Sequence, residues 1–256
     1  MRISRRRSLS ALAALGAAGA GLSIGTTQAA QGTKPIRLVV LDIGGTIIED
    51  HGEVPNAMSN AFKKGGVEVS LAEIGEWRGA SKKGMVRHFV EVRTAGANRD
   101  ALTESIYKDF SAQASKAYRN VKAIKGAEAA LKELRQRGLL LATTTGFDRS
   151  LTQQVMAHLG LQGYFSAMIT SDDVVDGRPS PFMIFHAMES AHIDGVAEVA
   201  AVGDTPLDLQ AASNAGVRGV IGVYSGAATK ERLEREPHTH ILASIAELPE
   251  LMRRAF

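Results

Sequence analysis

The 256-residue chain contains no cysteine, which excludes disulfides, thiolate nucleophiles and cysteine-ligated metals. Apolar runs long enough for a confident membrane span are scarce as well. The candidate, residues 11–24, is short and rich in Ala and Gly. Net charge is also scarce once the N-terminus is set aside. The formal charge of +3 includes Arg2, Arg5, Arg6 and Arg7, with no acid in residues 1–29, so the remainder stands at −1. That balance gives no electrostatic case for nucleic acid as a partner. Internal repeats and low-complexity segments are absent beyond residue 29. The apolar share of 45% and charged share of 22% are ordinary globular values and exclude wholesale disorder. The length suits one domain with a smaller one inserted.

Residues 1–29 read as an export address. Ser4-Arg5-Arg6-Arg7-Ser8-Leu9 forms a basic opening, residues 11–24 an apolar stretch, and Thr27-Gln28-Ala29 a small-residue cleavage site. Paired arginines and modest hydrophobicity resemble a twin-arginine signal, although Ser8 stands where that pattern usually has an aromatic or large apolar residue. A general secretory signal or an uncleaved anchor are the alternatives. The expectation is a periplasmic or otherwise exported protein that meets an export translocase, and the membrane, only in transit.

Short apolar runs at 38–41, 139–144, 168–170, 199–202 and 219–223 read as buried parallel strands. Helical patterns at 127–137, 150–159, 181–191 and 207–215 lie between them. Alternation of this kind predicts an α/β fold, a doubly wound parallel sheet of Rossmann-like type. Residues 55–121 break the rhythm, with apolar residues at helical spacing over 56–64, 71–77, 83–93 and 99–118 and no clear strand. They are expected to form an inserted helical cap, leaving 30–54 and 122–256 as the core.

Four polar clusters stand at or just past predicted strand ends: Asp42-Ile43-Gly44-Gly45-Thr46, Thr145-Gly146, Gly177-Arg178-Pro179, and Gly203-Asp204-Thr205 with Asp208. In an open parallel sheet, that edge is where ligands bind. A carboxylate followed by Gly-Gly, whose amides can approach an anion, suits a nucleophile facing a phosphate. Thr145 and Arg178 can take the remaining phosphoryl oxygens. Asp42 and Asp204 offer hard oxygens to Mg²⁺.

The order and spacing of these clusters resemble the haloacid dehalogenase superfamily over residues 36–252. The resemblance implies Asp42 as aspartyl nucleophile, Thr145 and Arg178 as second- and third-motif residues, and Asp204 and Asp208 as the acidic fourth motif. It also implies a Mg²⁺ site of Asp42, the Gly44 backbone and Asp204, with Asp208 behind it. Gly45, Thr46, Gly146 and Arg78 are expected to contact a small phosphorylated substrate. A homodimer is allowed but not required.

Gly44 is the departure that matters. Phosphatases of the superfamily carry there a second aspartate that protonates the leaving alkoxide. The phosphonoacetaldehyde hydrolase branch has a small residue instead. It cleaves a carbon–phosphorus bond, with a cap lysine as Schiff-base former and electron sink. Thr144-Thr145-Gly146-Phe147-Asp148-Arg149, Ser171-Asp172-Asp173-Val174 and Gly177-Arg178-Pro179 resemble its wording, and Lys82 matches its lysine. A functional Lys82 requires a lowered pKa, whereas a solvated loop lysine would be unperturbed. Arg78, Met85 and Phe147 depart from the methionine, histidine and tyrosine of that branch.

Three readings follow: carbon–phosphorus hydrolysis through Lys82, phosphate-ester hydrolysis of phosphoglycolate phosphatase type, and an exported non-catalytic phosphate-ligand binder. The intact acidic fourth motif argues against a dehalogenase. His238 and His240 alternate as on a strand and complete no metal set. Trp77 and Phe89 read as cap core. The charge-rich run 230–236 reads as a solvated helix face.

Overall fold

A computed structural model describes residues 34–256. The expected export signal lies outside the described residues. Strand β1 (Leu38–Leu41) is buried along its whole length, and its alternate residues enter two different cores. Val39 and Leu41 face one cluster while Leu38 and Val40 face the other, as period-two geometry dictates for a central strand covered on both sides. Each such side chain contributes on the order of 1.5–3 kcal/mol by burial.

After β1 the chain leaves the sheet for four helices: α1 (Glu53–Lys64), α2 (Leu71–Glu76), α3 (Lys82–Arg93) and α4 (Arg99–Ala117). It returns through α5 (Ala127–Gln136), β2 (Leu140–Thr144), α6 (Arg149–His158), β3 (Ala167–Ile169), α7 (Phe182–Ser190) and β4 (Val199–Gly203). Then come α8 (Pro206–Ala215), β5 (Gly219–Val223), α9 (Lys230–Leu233), β6 (His240–Leu242) and α10 (Leu248–Arg254). The six strands run parallel in the order β3-β2-β1-β4-β5-β6. This is the doubly wound sheet the alternation predicts. Order reverses at β1, so the carboxyl ends of β1, β2 and β4 flank the crevice where such sheets bind ligands.

The helical insertion buries an aromatic and aliphatic interior. Phe62 meets Phe89 edge-on at 5.6 Å between ring centroids, and Ile106, Phe110 and Val90 complete the packing. Trp77 and Phe89 lie in this packing, as their spacing predicts. Helix starts follow their caps: Ser70 and Glu73 form a capping box on α2, and the Ser81 hydroxyl accepts from the Gly84 amide at 3.2 Å on α3. Two contacts pin α4 to the core: Tyr107 Oη donates to Asp148 at 2.7 Å, and Ser115 Oγ donates to Gln154 at 2.6 Å. Asp148 also caps α6, accepting from the Leu151 amide at 2.8 Å. Helix α10 had no sequence expectation, and Leu248 and Met252 bury it against the core.

Candidate active site

Asp42 directly follows β1, and its amide donates to the Val202 carbonyl of β4 at 2.9 Å. Its carboxylate therefore emerges where β1, β2 and β4 end. Arg178 joins the motifs there. One nitrogen, Nη1, stands 2.8 Å from both Asp42 Oδ1 and Asp208 Oδ1, and Nη2 donates to the Thr144 carbonyl at 2.7 Å and its hydroxyl at 2.9 Å. Nη1 also donates to the Gly79 carbonyl of the insertion at 3.3 Å. The guanidinium is buried, and the acids around it raise its already high pKa.

Asp208, the third residue of α8, has both oxygens committed. Oδ2 accepts from the Thr205 amide at 3.0 Å and hydroxyl at 2.6 Å, while Oδ1 faces Arg178. Asp204 is clasped by backbone: its Oδ2 accepts from the Ala227 amide at 2.6 Å. A Cβ on either Gly45 or Gly226 would overlap the Asp204 carboxylate. These two glycines form a slot that aims Asp204, and Gly45 adopts it with φ of +74°.

One ligand oxygen each from Asp42, Asp204 and Asp208 lie within 4.8 Å of one another. Burial is the first cause that raises Asp42 to about 7; Arg178 opposes it, and Asp208 raises it further. Asp204 is likewise pushed well above the carboxylate range by burial and by its two acidic neighbours. Three crowded acids with one guanidinium form a hard-oxygen set short of positive charge, which fits a divalent cation. Asp42 and Asp204 keep an uncommitted oxygen for it, whereas Asp208 supports them from behind through Arg178 and Thr205.

A narrow cavity of about 50 Å³ opens beside this cluster. It is lined by Asp42, Gly44, Thr145, Gly146, Arg178 and Asp204 from the core, and by Arg78 and Lys82 from the insertion. Lys82, the first residue of α3, is buried rather than solvated, and its Nζ donates to the Ala80 carbonyl at 2.8 Å. The ammonium lies 5.9 Å from the Phe147 ring centroid. Burial lowers its pKa to about 8 against the pull of Asp42, and Arg178 adds to the lowering. Arg78 does not crowd it with free charge, because Asp50 pairs with Arg78 at 3.4 Å.

Several expectations need correction. Gly45 and Thr46 do not line the cavity. The Gly45 amide donates to the Ile48 carbonyl at 2.8 Å, closing a turn, and Thr46 is buried with its hydroxyl unpaired. Both thus stand away from the cavity wall where the resemblance had placed them. Gly146 lines the cavity, but its lack of a side chain serves docking: a Cβ there would overlap the Ala80 carbonyl of the insertion. Met85 belongs to the insertion core and is outside the cavity wall. Residues the sequence did not single out are Asp50, Tyr118, Gly226 and Ala227. For Gly226 and Ala227 a signal existed, a small-residue run just past the β5 end. Tyr118 read simply as the last apolar position of a cap helix, and Asp50 stood out in no pattern. His240 packs on Phe256 at 5.6 Å between rings, and among the described residues the Asp cluster alone has metal-site spacing.

Residues 39–223 match the haloacid dehalogenase-like hydrolase family, and the chain belongs to it. A phosphonoacetaldehyde hydrolase of Lysinibacillus sphaericus is 29% identical over 214 residues, 78% of this chain and 79% of that protein. Among solved structures, a phosphonoacetaldehyde hydrolase-like protein from Oleispira antarctica superposes with a TM-score of 0.74 at 20% identity, covering 88% of this chain and 96% of that one. A predicted phosphoglycolate phosphatase from Haemophilus somnus gives 0.72 at 17% identity, covering 86% and 99%. Both structural likenesses speak to the fold. The protein is a hydrolase of this family.

Proposed function

We propose that the chain cleaves the carbon–phosphorus bond of a small phosphonate bearing a carbonyl group, with Asp42 as nucleophile and Lys82 as imine former. The observation that carries this reading is the burial of Lys82 in the same cavity as Asp42, with its amine lowered to about 8 and therefore available near neutral pH. Opposite it, Gly44 supplies no acid for an alkoxide.

The Lys82 amine adds to the substrate carbonyl, water departs, and an imine remains. Asp42 then attacks phosphorus, and the electron pair of the breaking carbon–phosphorus bond flows into the imine to give an enamine. Water later releases phosphate from Asp42, and a second water releases the carbonyl product from Lys82 after the enamine carbon is protonated. Thr145 and Arg178 hold phosphoryl oxygens throughout. Mg²⁺, held by Asp42 and Asp204, would supply charge neutralisation between the carboxylates and the anionic substrate.

Borohydride with phosphonoacetaldehyde should trap an adduct on Lys82, and Lys82→Ala should abolish both trapping and turnover. Trapping should rise as pH passes upward through about 8, because only the unprotonated amine attacks. Turnover that survives Lys82→Ala without an adduct would decide for phosphate-ester hydrolysis. That second reading draws on Asp50 and Tyr118, which also line the cavity.

We also propose that residues 1–29 direct export and that the mature protein starts near Ala30. Edman sequencing of native protein should return that end from a periplasmic fraction. An intact Met1 from cytosol would refute it.

A further inference from the structure

The cavity has two ends of different chemistry. Asp42, Thr145 and Arg178 belong to the phosphoryl end, at the strand tips. The other end is walled by Lys82, by Arg78 paired to Asp50, and by the rings of Phe147 and Tyr118. Phe147, the core side chain packed on Tyr118 and near Lys82, brings no hydrogen-bond donor there. Gly44 has no side chain, and an ideal Cβ placed on it meets only the Phe147 Cζ, at 3.6 Å. Phe147, at its closest point to Gly44, carries no hydroxyl.

Tyr118 stands where α4 gives way to the return into the core, and its ring packs on Phe147 at 5.4 Å between centroids. It is only 2% exposed. Buried phenols ordinarily find a protein partner. Tyr107 donates to Asp148 and Tyr164 to Glu128, but the Tyr118 hydroxyl bonds to no described residue. Nor is it sealed away: the described side-chain atoms both sealed and unpaired belong to Thr46, Thr143 and His240. The hydroxyl therefore keeps part of the small residual exposure of Tyr118, a residue that lines the cavity. Burial, then Asp50 and Glu53, hold the phenol protonated, so it presents a neutral donor.

Resting on the phosphonate reading above, we infer that Tyr118 is the specificity-determining residue that donates a hydrogen bond to an oxygen on the substrate carbon next to the one bearing phosphorus. The ligand class is a two-carbon phosphonate oxygenated at its second carbon. An unmade hydrogen bond from a buried donor is costly, so a ligand that lacks this oxygen is disfavoured. Tyr118 thus places a hydroxyl in the cavity from the insertion side, where Phe147 brings none from the core.

The test is calorimetric binding of 2-hydroxyethylphosphonate and ethylphosphonate to the Mg²⁺-loaded protein. The two ligands differ by one oxygen, and neither has a carbonyl to engage Lys82. The hydroxylated ligand should bind about tenfold tighter. Tyr118→Phe keeps the ring against Phe147. It should shrink that preference to about twofold or less, with ethylphosphonate affinity and Tm unchanged. A preference that persists in Tyr118→Phe would overturn the inference while leaving Lys82 chemistry standing. An equal loss for both ligands would also overturn it, because the ring and not the hydroxyl would then matter. If the unmodified protein bound inorganic phosphate but neither phosphonate, the phosphonate reading would fall and this inference with it.

Discussion

At the scale of single residues, the proposed chemistry rests on Gly44 and Lys82. Gly44 is not demanded by the backbone, since it is absent from the positive-φ glycines and its Cβ position is open apart from ordinary contact with Phe147. The backbone there accepts a Cβ without strain. Gly44→Asp should fold normally and place a new anion near Asp42, Asp204 and the phosphonate. Turnover of phosphonoacetaldehyde should fall at least about tenfold. A rise of roughly a hundredfold on phosphate esters would instead mean that an acid was the missing part. The comparison of steady-state rates on both substrate types reads this directly. Lys82 shows how far one residue can be judged from sequence. Its position before a helix was plain, but its burial beside Phe147 and Arg178, which come from distant segments, was not, and that burial is what lowers its pKa.

At the scale of elements, the insertion and the strand tips meet through glycines. The Gly79-Ala80 turn between α2 and α3 packs so close to the β2 tip that a side chain on Gly146 would overlap the Ala80 carbonyl backbone. The same turn carries the Arg178 contact and leads into Lys82. Gly146→Ala should push the turn outward and draw Lys82 away from Asp42. The expected result is a loss of borohydride trapping and of turnover by tenfold or more, in rough terms of misplacement costs, with little change in Tm. Unaltered trapping at Lys82 would show that this close approach does not set the lysine. The helices themselves follow local chemistry, as with the Ser70–Glu73 and Thr205–Asp208 capping boxes. In the second of these the cap residue Asp208 also serves the site, so one side chain starts a helix and braces Arg178.

At the scale of the whole molecule, folding gathers three buried acids around Arg178, and that concentration of negative charge opposes the folded state until a cation binds. Millimolar Mg²⁺ should raise Tm by about 5–10 °C if it reaches a hundredfold excess over its Kd. Chelator should reverse the shift, and Asp204→Asn should remove most of it. A Tm indifferent to Mg²⁺ would take the metal out of the proposed mechanism. The sequence by itself determined the strands, the parallel sheet and the positions of Asp42, Thr145, Arg178 and Asp204. Continuous apolar runs specify buried strands, and the polar residue that ends each run must lie at a sheet edge. The tertiary structure alone decided which neighbours complete the site. Gly45 turned out to shape the Asp204 slot, with its amide donating to Ile48. Tyr118 read as part of a cap helix because it ends a run of helical spacing, and Asp50 stood out in no pattern. Periodicity reports which face of a helix is buried, but it is silent on whether that face meets another side chain or the cavity above a strand end.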